Sequence, residues 1–168
     1  MNWRSLMIPW LWTPLILVMD FFTKRLVLAH IETLQAKIDL LGSLVRLAYV
    51  RNNGAAMGLF PSTRGVLISV SSIAIILLII LYRRTAPELL VRRGALAAIL
   101  GGALGNLVDR VFYGGLVVDF IDIGIGSHRF YTFNVADMGV TLGGIILFFS
   151  LLRDTRQAAP ESHERPEF

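Results

Sequence analysis

The sequence predicts an all-α membrane protein built on four transmembrane helices, with a small β element outside the bilayer. Three observations carry this reading. Of the 168 residues, 55% are hydrophobic and 17% charged, with a mean hydropathy of +0.65; soluble domains carry about 25% charge. Four apolar stretches approach the ~20 residues that cross a hydrocarbon core. Two strand-like runs lie between these stretches, not within them.

The four stretches run from Ile8 to Leu28, Val66 to Tyr82, Gly94 to Phe112, and Tyr131 to Leu152. The first has the look of a secretory signal, but no small-residue cleavage site follows it. Asp20, Lys24 and Arg25 arrive while the helix continues, so it reads as a retained span. The second is the purest, with Ile-Ala-Ile-Ile-Leu-Leu-Ile-Ile-Leu at 73–81, and is expected to face lipid broadly. The other three carry polar residues inside.

Positive charge sets the orientation. Arg83, Arg84, Arg92 and Arg93 follow the second span, and Arg153 and Arg156 follow the fourth. Those ends therefore read as cytoplasmic, as do both termini. The loops at 29–65 and 113–130 face outward. Lys37, Arg46, Arg51 and Arg64 in the first loop run against the rule, but its length dilutes them. Leu44 to Val50 and Leu116 to Ile123 are the strand-like runs. Asn52-Asn53-Gly54 marks a turn after the first, and Gly114-Gly115 leads into the second. One membrane domain is expected over 1–155. A polar cytoplasmic tail over 156–168, broken by Pro160 and Pro166, is expected to be disordered.

Composition also excludes chemistries. The net charge is +4 and the isoelectric point about 10.0, but the basic residues mark span ends and form no aromatic-interleaved patch, so no nucleic-acid partner is expected. There is no cysteine, which excludes disulfides, thiol catalysis, thiolate metal sites and a lipid anchor on the chain's own cysteine. His30, His128 and His163 lack ligand spacing, so neither a metal nor another cofactor is expected.

The polar intramembrane residues fall at one depth, near the outer face. Asp20 and Lys24 lie in the outer half of the first span. Asn106, Asp109 and Arg110 close the third span, Asn134 and Asp137 open the fourth, and Asp119 follows just outside the third. A charge at a helix centre costs about 2.5–3.5 kcal/mol on insertion scales, so such a gathering reads as a site. Asp20 and Lys24, at i and i+4, can pair. Asp109 beside Arg110 reads as scaffold. Asp122 is expected to be solvated, on the strand face opposite Asp119. Asp119 and Asp137 have no basic residue at helical spacing and sit among apolar neighbours, in Val-Val-Asp-Phe and Val-Ala-Asp-Met. Gly101-x-x-x-Gly105 and Gly139-x-x-x-Gly143 are expected to let the third and fourth spans approach and bring the two aspartates together.

Two close carboxylates cannot both ionise cheaply, so the pair shares a proton and titrates as a unit. The charged member can activate water, and the neutral one can bond a peptide carbonyl. That is aspartic-peptidase chemistry, and it needs neither metal nor thiol. A transporter also uses intramembrane carboxylates, but tends to hold them near the midplane and to show repeats, neither of which is visible here. A membrane scaffold is the third class, in which the glycines and polar pairs serve assembly.

Five ordered blocks carry a resemblance. They are Asp-Phe-Phe-Thr-Lys at 20–24, Asn-Asn-Gly-Ala-Ala at 52–56, Gly-Gly-Ala-Leu-Gly-Asn-Leu-Val-Asp-Arg at 101–110, Val-Val-Asp-Phe at 117–120 and Phe-Asn-Val-Ala-Asp at 133–137. Together they resemble bacterial lipoprotein signal peptidase, or signal peptidase II. The resemblance implies an aspartic endopeptidase of the bacterial inner membrane. Its substrates would be prolipoproteins, cut immediately before a cysteine that already carries diacylglycerol. It implies Asp119 and Asp137 as the catalytic pair. Around them it places Asp20, Lys24, Asn52, Gly54, Asn106, Asp109, Arg110, Asn134 and Ala136. It also implies membrane lipids and globomycin-type inhibitors as partners, and a β-rich cradle and a short helix on the periplasmic side. The sequence departs from the family pattern at Phe21, where glutamine is usual, and at Met57, where an aromatic is usual; both bear on substrate or inhibitor contacts.

Overall fold

The structure, a computed structural model, describes residues 8–52 and 64–157, with side chains described as far as Arg153. Gly54, Met57 and the tail beyond Gln157 lie outside the described residues. Among the described residues, after a helical turn at 8–10, five helices and four strands follow in the order α1 (Trp12–Ala29), α2 (Ile31–Gln35), β1 (Ile38–Leu41), β2 (Val45–Asn52), α3 (Arg64–Arg84), α4 (Leu90–Phe112), β3 (Val117–Ile125), β4 (His128–Arg129) and α5 (Val135–Gln157).

The apolar stretches became the long helices, each shifted by a few residues. Pro14 sits in the first turn of α1, where its missing N–H leaves no helical bond unmade. α3 has three buried residues, Leu67, Ile75 and Tyr82, packs Leu78 against Leu96 and Ala97 of α4, and turns most of its other apolar surface outward. Among the described residues, three helices are long and apolar enough to cross a membrane: Arg64–Arg84, Leu90–Phe112 and Val135–Arg153. α1 has 18 residues but carries Asp20, Lys24 and Arg25, so its composition is less apolar than theirs.

α4 is the hub, packing against α1, α3 and α5. Its small residues explain why. Gly101, Gly102 and Gly105 are buried, and a side chain at any of them would meet a neighbouring helix. The expected glycine pairing is corrected in detail. Gly101 seats α1, against Thr13 and Ile16, whereas Gly102 lies against Ala136 and Val140 of α5. The close approach of α4 and α5 therefore rests on Gly102 and Gly105, which lie against Ala136, and, as expected, on Gly139 and Gly143, which lie against Ala98 and against Ala95 and Ile99.

The helical frame also holds a four-stranded antiparallel sheet in the order β1-β2-β3-β4. Gly114 and Gly115, at φ +77° and +87°, take the chain from α4 into β3 through a conformation that side chains disfavour. The β2–β3 register pairs Val50 with Asp119 and Asn52 with Val117, with a shift between Leu47 and Val50. A small core of Val27, Leu34, Val118 and Phe120 ties the sheet to α1 and α2. Asp122 is not solvated as expected. It is buried, bonded to Arg129 at 2.9 Å and within 3.8 Å of Lys37, because those cations fold over its face of the sheet.

Candidate active site

The start of α5 organises the site. A helix opens with backbone N–H groups that lack partners. Asn134 stands just before α5 and accepts the Asp137 N–H on its Oδ1 at 2.9 Å, while Asp137 Oδ2 accepts the Asn134 N–H at 3.3 Å. This reciprocal arrangement is a capping box made from Asn and Asp. The intervening Ala136 N–H is capped from another helix, by Asp20 Oδ1 at 2.8 Å. Ala136 is fully buried, and Gly102 and Gly105 of α4 leave the space it fills. Local sequence thus dictates where Asp137 points: the cap holds its carboxylate, and the glycines hold the turn that carries it.

Lys24 braces this arrangement from α1. It is fully buried, and its ammonium lies 2.7 Å from Asp20 Oδ2, 2.9 Å from Asp109 Oδ2 and 3.1 Å from Asn106 Oδ1. The ammonium donates hydrogen bonds to Asp20 and Asn106 and is held to Asp109 by charge. These contacts also orient Asn106. Its oxygen must face the ammonium, which turns its Nδ2 toward Asp137 Oδ1 at 2.8 Å. The Asp20–Lys24 pair expected from spacing is present. The reading of Asp109 beside Arg110 as one scaffold unit is refined, because the two side chains diverge. Asp109 contacts Lys24 and lies 3.8 Å from Arg25, whereas Arg110 donates to the Asn106 carbonyl at 3.2 Å.

Asp119 reaches the same place from β3. It is buried, and its carboxylate accepts from Asn52 at 3.0 Å and from Asn134 Nδ2 at 2.7 Å. Asn134 therefore touches both carboxylates. It holds Asp119 with its side-chain amide and Asp137 with its backbone N–H. Among the described residues neither aspartate forms an ion pair. Burial pushes the Asp119 carboxyl up to about 6. The charge of Asp137 pushes the same way, while the bonds from Asn52 and Asn134 oppose it. The result is two carboxyl groups in one hydrogen-bonded cluster, one held at a pKa where it keeps a proton in mildly acidic solution.

Of the residues expected at the site, Asp20, Lys24, Asn52, Asn106, Asp109, Arg110, Asp119, Asn134, Ala136 and Asp137 come together; Gly54 is outside the described residues. Sequence reasoning missed Gly102 and Arg25. Gly102 was hidden inside a doublet whose other member fits a recognised spacing. Arg25 reads in the sequence only as a charge within the continuing first helix, yet it stacks 3.7 Å over Tyr113 beside Asp109.

A family model described as signal peptidase (SPase) II matches residues 12–153. The chain belongs to the signal peptidase II family. The lipoprotein signal peptidase of Halalkalibacterium halodurans is 39% identical over 148 residues, covering 88% of this chain and 94% of that one. That of Wigglesworthia glossinidia brevipalpis is 40% identical over 139 residues, covering 80% and 88%. A bacterial membrane enzyme solved by the in meso method at 2.3 Å superposes with a TM-score of 0.83 at 28% identity, covering 96% of this chain and 94% of that one. The matched span of the signal peptidase II model includes every block that meets in the cluster around Asn134.

Proposed function

We propose that this protein is a lipoprotein signal peptidase. It removes the signal peptide of diacylglyceryl-modified prolipoproteins, cutting just before the lipidated cysteine, with Asp119 and Asp137 as its catalytic pair. One observation carries the assignment of the pair: a single residue, Asn134, bonds both carboxylates, and neither forms an ion pair among the described residues.

The chemistry follows from the shared proton. The ionised carboxylate takes a proton from a water lying between the pair, and the water oxygen attacks the scissile carbonyl carbon. The protonated partner donates to the carbonyl oxygen as negative charge develops there. Collapse of the tetrahedral species breaks the C–N bond, and the leaving nitrogen takes up the proton first removed from water. Asn52, Asn106 and Asn134 hold the carboxylates in place, and Asp20, Lys24 and Asp109 brace the helix ends beneath them.

α1 serves as the fourth span, its ionisable residues being consumed by the network and not exposed to lipid. The arginines that close α3 and α5 and open α4 favour cytoplasmic termini, which puts the pair near the outer face of the inner membrane. Residues 1–155 form one peptidase domain followed by a cytoplasmic tail. Globomycin-type inhibitors are expected to compete at the pair.

The test is to express wild type, Asp119→Asn and Asp137→Asn in cells without prolipoprotein processing. Wild type should release the signal peptide, and both variants should accumulate lipidated precursor. Normal processing by either variant sinks the assignment.

A further inference from the structure

A second feature of the bundle starts beside the aspartates, at Val135 and Met138, and runs away from them along the helices. A groove of 510 Å³ runs between α1 and α5 across the surface of α4. Its walls include Leu15, Leu142 and Ile146, and its floor is made by small residues such as Gly94 and Ala98. At its inner end lies Trp12. The polar network around Lys24 needs nothing from it.

Its dimensions select an occupant. From Val135 to Ile146 the groove follows twelve residues of α5, about 16 Å at 1.5 Å per residue. That is about half of the ~30 Å hydrocarbon core, the depth of one leaflet. Dividing volume by length gives a mean cross-section of about 32 Å², roughly 6 Å across, below the ~10–12 Å diameter of a helix with side chains. A transmembrane helix is too wide to seat within it. A single extended hydrocarbon chain fits.

Charge marks one end. The face of α5 that lines the groove continues past Ile146 to Ser150 and Arg153, at helical spacing. Arg92 of α4 reaches across to the Ser150 carbonyl at 3.4 Å, and Arg153 is exposed. Two guanidinium groups thus lie beyond the inner mouth, at the headgroup level for a chain seated in the groove.

We propose that this groove is a specific binding site for one acyl chain of an anionic phospholipid, whose phosphate lies at Arg92 and Arg153 on the arginine-rich side of the membrane. The site rests on the membrane reading of the helices and not on the peptidase assignment. Bound lipid would fill the gap between α1 and α5.

Two measurements test it. Native mass spectrometry of the purified full chain, titrated with phosphatidylglycerol or phosphatidylcholine, should find one tightly held phosphatidylglycerol and at least tenfold weaker phosphatidylcholine. Gly94→Leu and Ala98→Leu both fill the groove, and a Cβ at Gly94 comes no closer than 3.6 Å to Trp12. Each should weaken that lipid at least tenfold while the protein stays monodisperse. Arg153→Glu should abolish the headgroup preference. A monodisperse filling variant that keeps wild-type lipid occupancy overturns the proposal, as does equal binding of the two lipids. The second measurement needs no variant: a phosphatidylglycerol with a diazirine in its acyl chain should label wild type at Leu15, Ala98 and Leu142. Labelling spread evenly over the lipid-facing surface of α3 overturns it.

Discussion

Replacing Gly102 by alanine adds one methyl group at a distance from both aspartates, yet it should cost most of the activity. A Cβ at Gly102 would overlap the Ala136 carbonyl oxygen and lie 3.0 Å from its carbon and 2.9 Å from Val140 Cγ2, where ordinary contact begins at 3.4 Å. The main obstacle is backbone, so no side-chain rotation relieves it. The first turn of α5 must withdraw from α4 by about 1 Å, taking Asp137 with it. The 2.8 Å bond from Asn106 then stretches beyond hydrogen-bonding range, as does that between Asp20 and the Ala136 N–H. A misplacement of about 1 Å can cost about 100-fold in rate, and the loss should fall on kcat with KM little changed. The assay is cleavage of a lipid-modified precursor peptide by detergent-solubilised enzyme. Gly144→Ala is the control, because nothing lies within 4 Å of a Cβ there. If Gly102→Ala turns over at the wild-type rate, the α4–α5 contact does not set the geometry of the pair.

Asp20→Leu should unfold the protein more readily, because it leaves the Ala136 N–H unpaired and Lys24 short of a partner. Breaking a buried ion pair costs about 3–5 kcal/mol, read as a drop in Tm, and Asp20→Asn should recover part of it by capping Ala136 again. Asn134→Ala should lose at least tenfold in kcat and about 1 kcal/mol of stability, since it removes both the helix cap and the donor to Asp119. Folding raises the Asp119 pKa from 3.8 to about 6, so the folded chain binds more protons between those values. Stability should therefore fall as pH rises from about 4 to about 6, by up to about 3 kcal/mol, and Asp119→Asn should abolish that slope in Tm against pH. Asn52→Leu removes a bond that favours the charged form, so the alkaline limb of kcat/KM should move to higher pH.

Much of the fold was legible because lipid makes the rules severe. Apolar runs long enough to span must become helices, since unpaired backbone groups are costly in hydrocarbon. The strand-like runs at 44–50 and 116–123 became β2 and β3 for the ordinary reason that β-branched residues suit a pleated surface. What the pattern did not contain was order within the sheet. β1 is only four residues long and fully exposed, and its pairing with β2 is a tertiary fact with no signal in Ile-Asp-Leu-Leu. The fate of Asp122 was hidden for a similar reason. Its partner Arg129 lies seven residues on, across a turn, beyond the reach of any helical or strand periodicity.

The site was legible in its membership and not in its wiring. Depth alone grouped the polar residues, because three of the four apolar stretches carry a polar patch toward the same side. The argument that Asp119 and Asp137 lack basic partners also survives, among the described residues, in three dimensions. Spacing could not reveal that Asp20 caps a helix more than a hundred residues away, or that Lys24 turns the Asn106 amide toward Asp137. These contacts join α1, α4 and α5 through the polar groups that a bilayer would otherwise penalise. That explains how α1 can hold three ionisable residues and still belong to the bundle. Its charges are spent on orienting the opening turn of α5, so the same residues that make α1 the least apolar of the long helices hold the second aspartate in position.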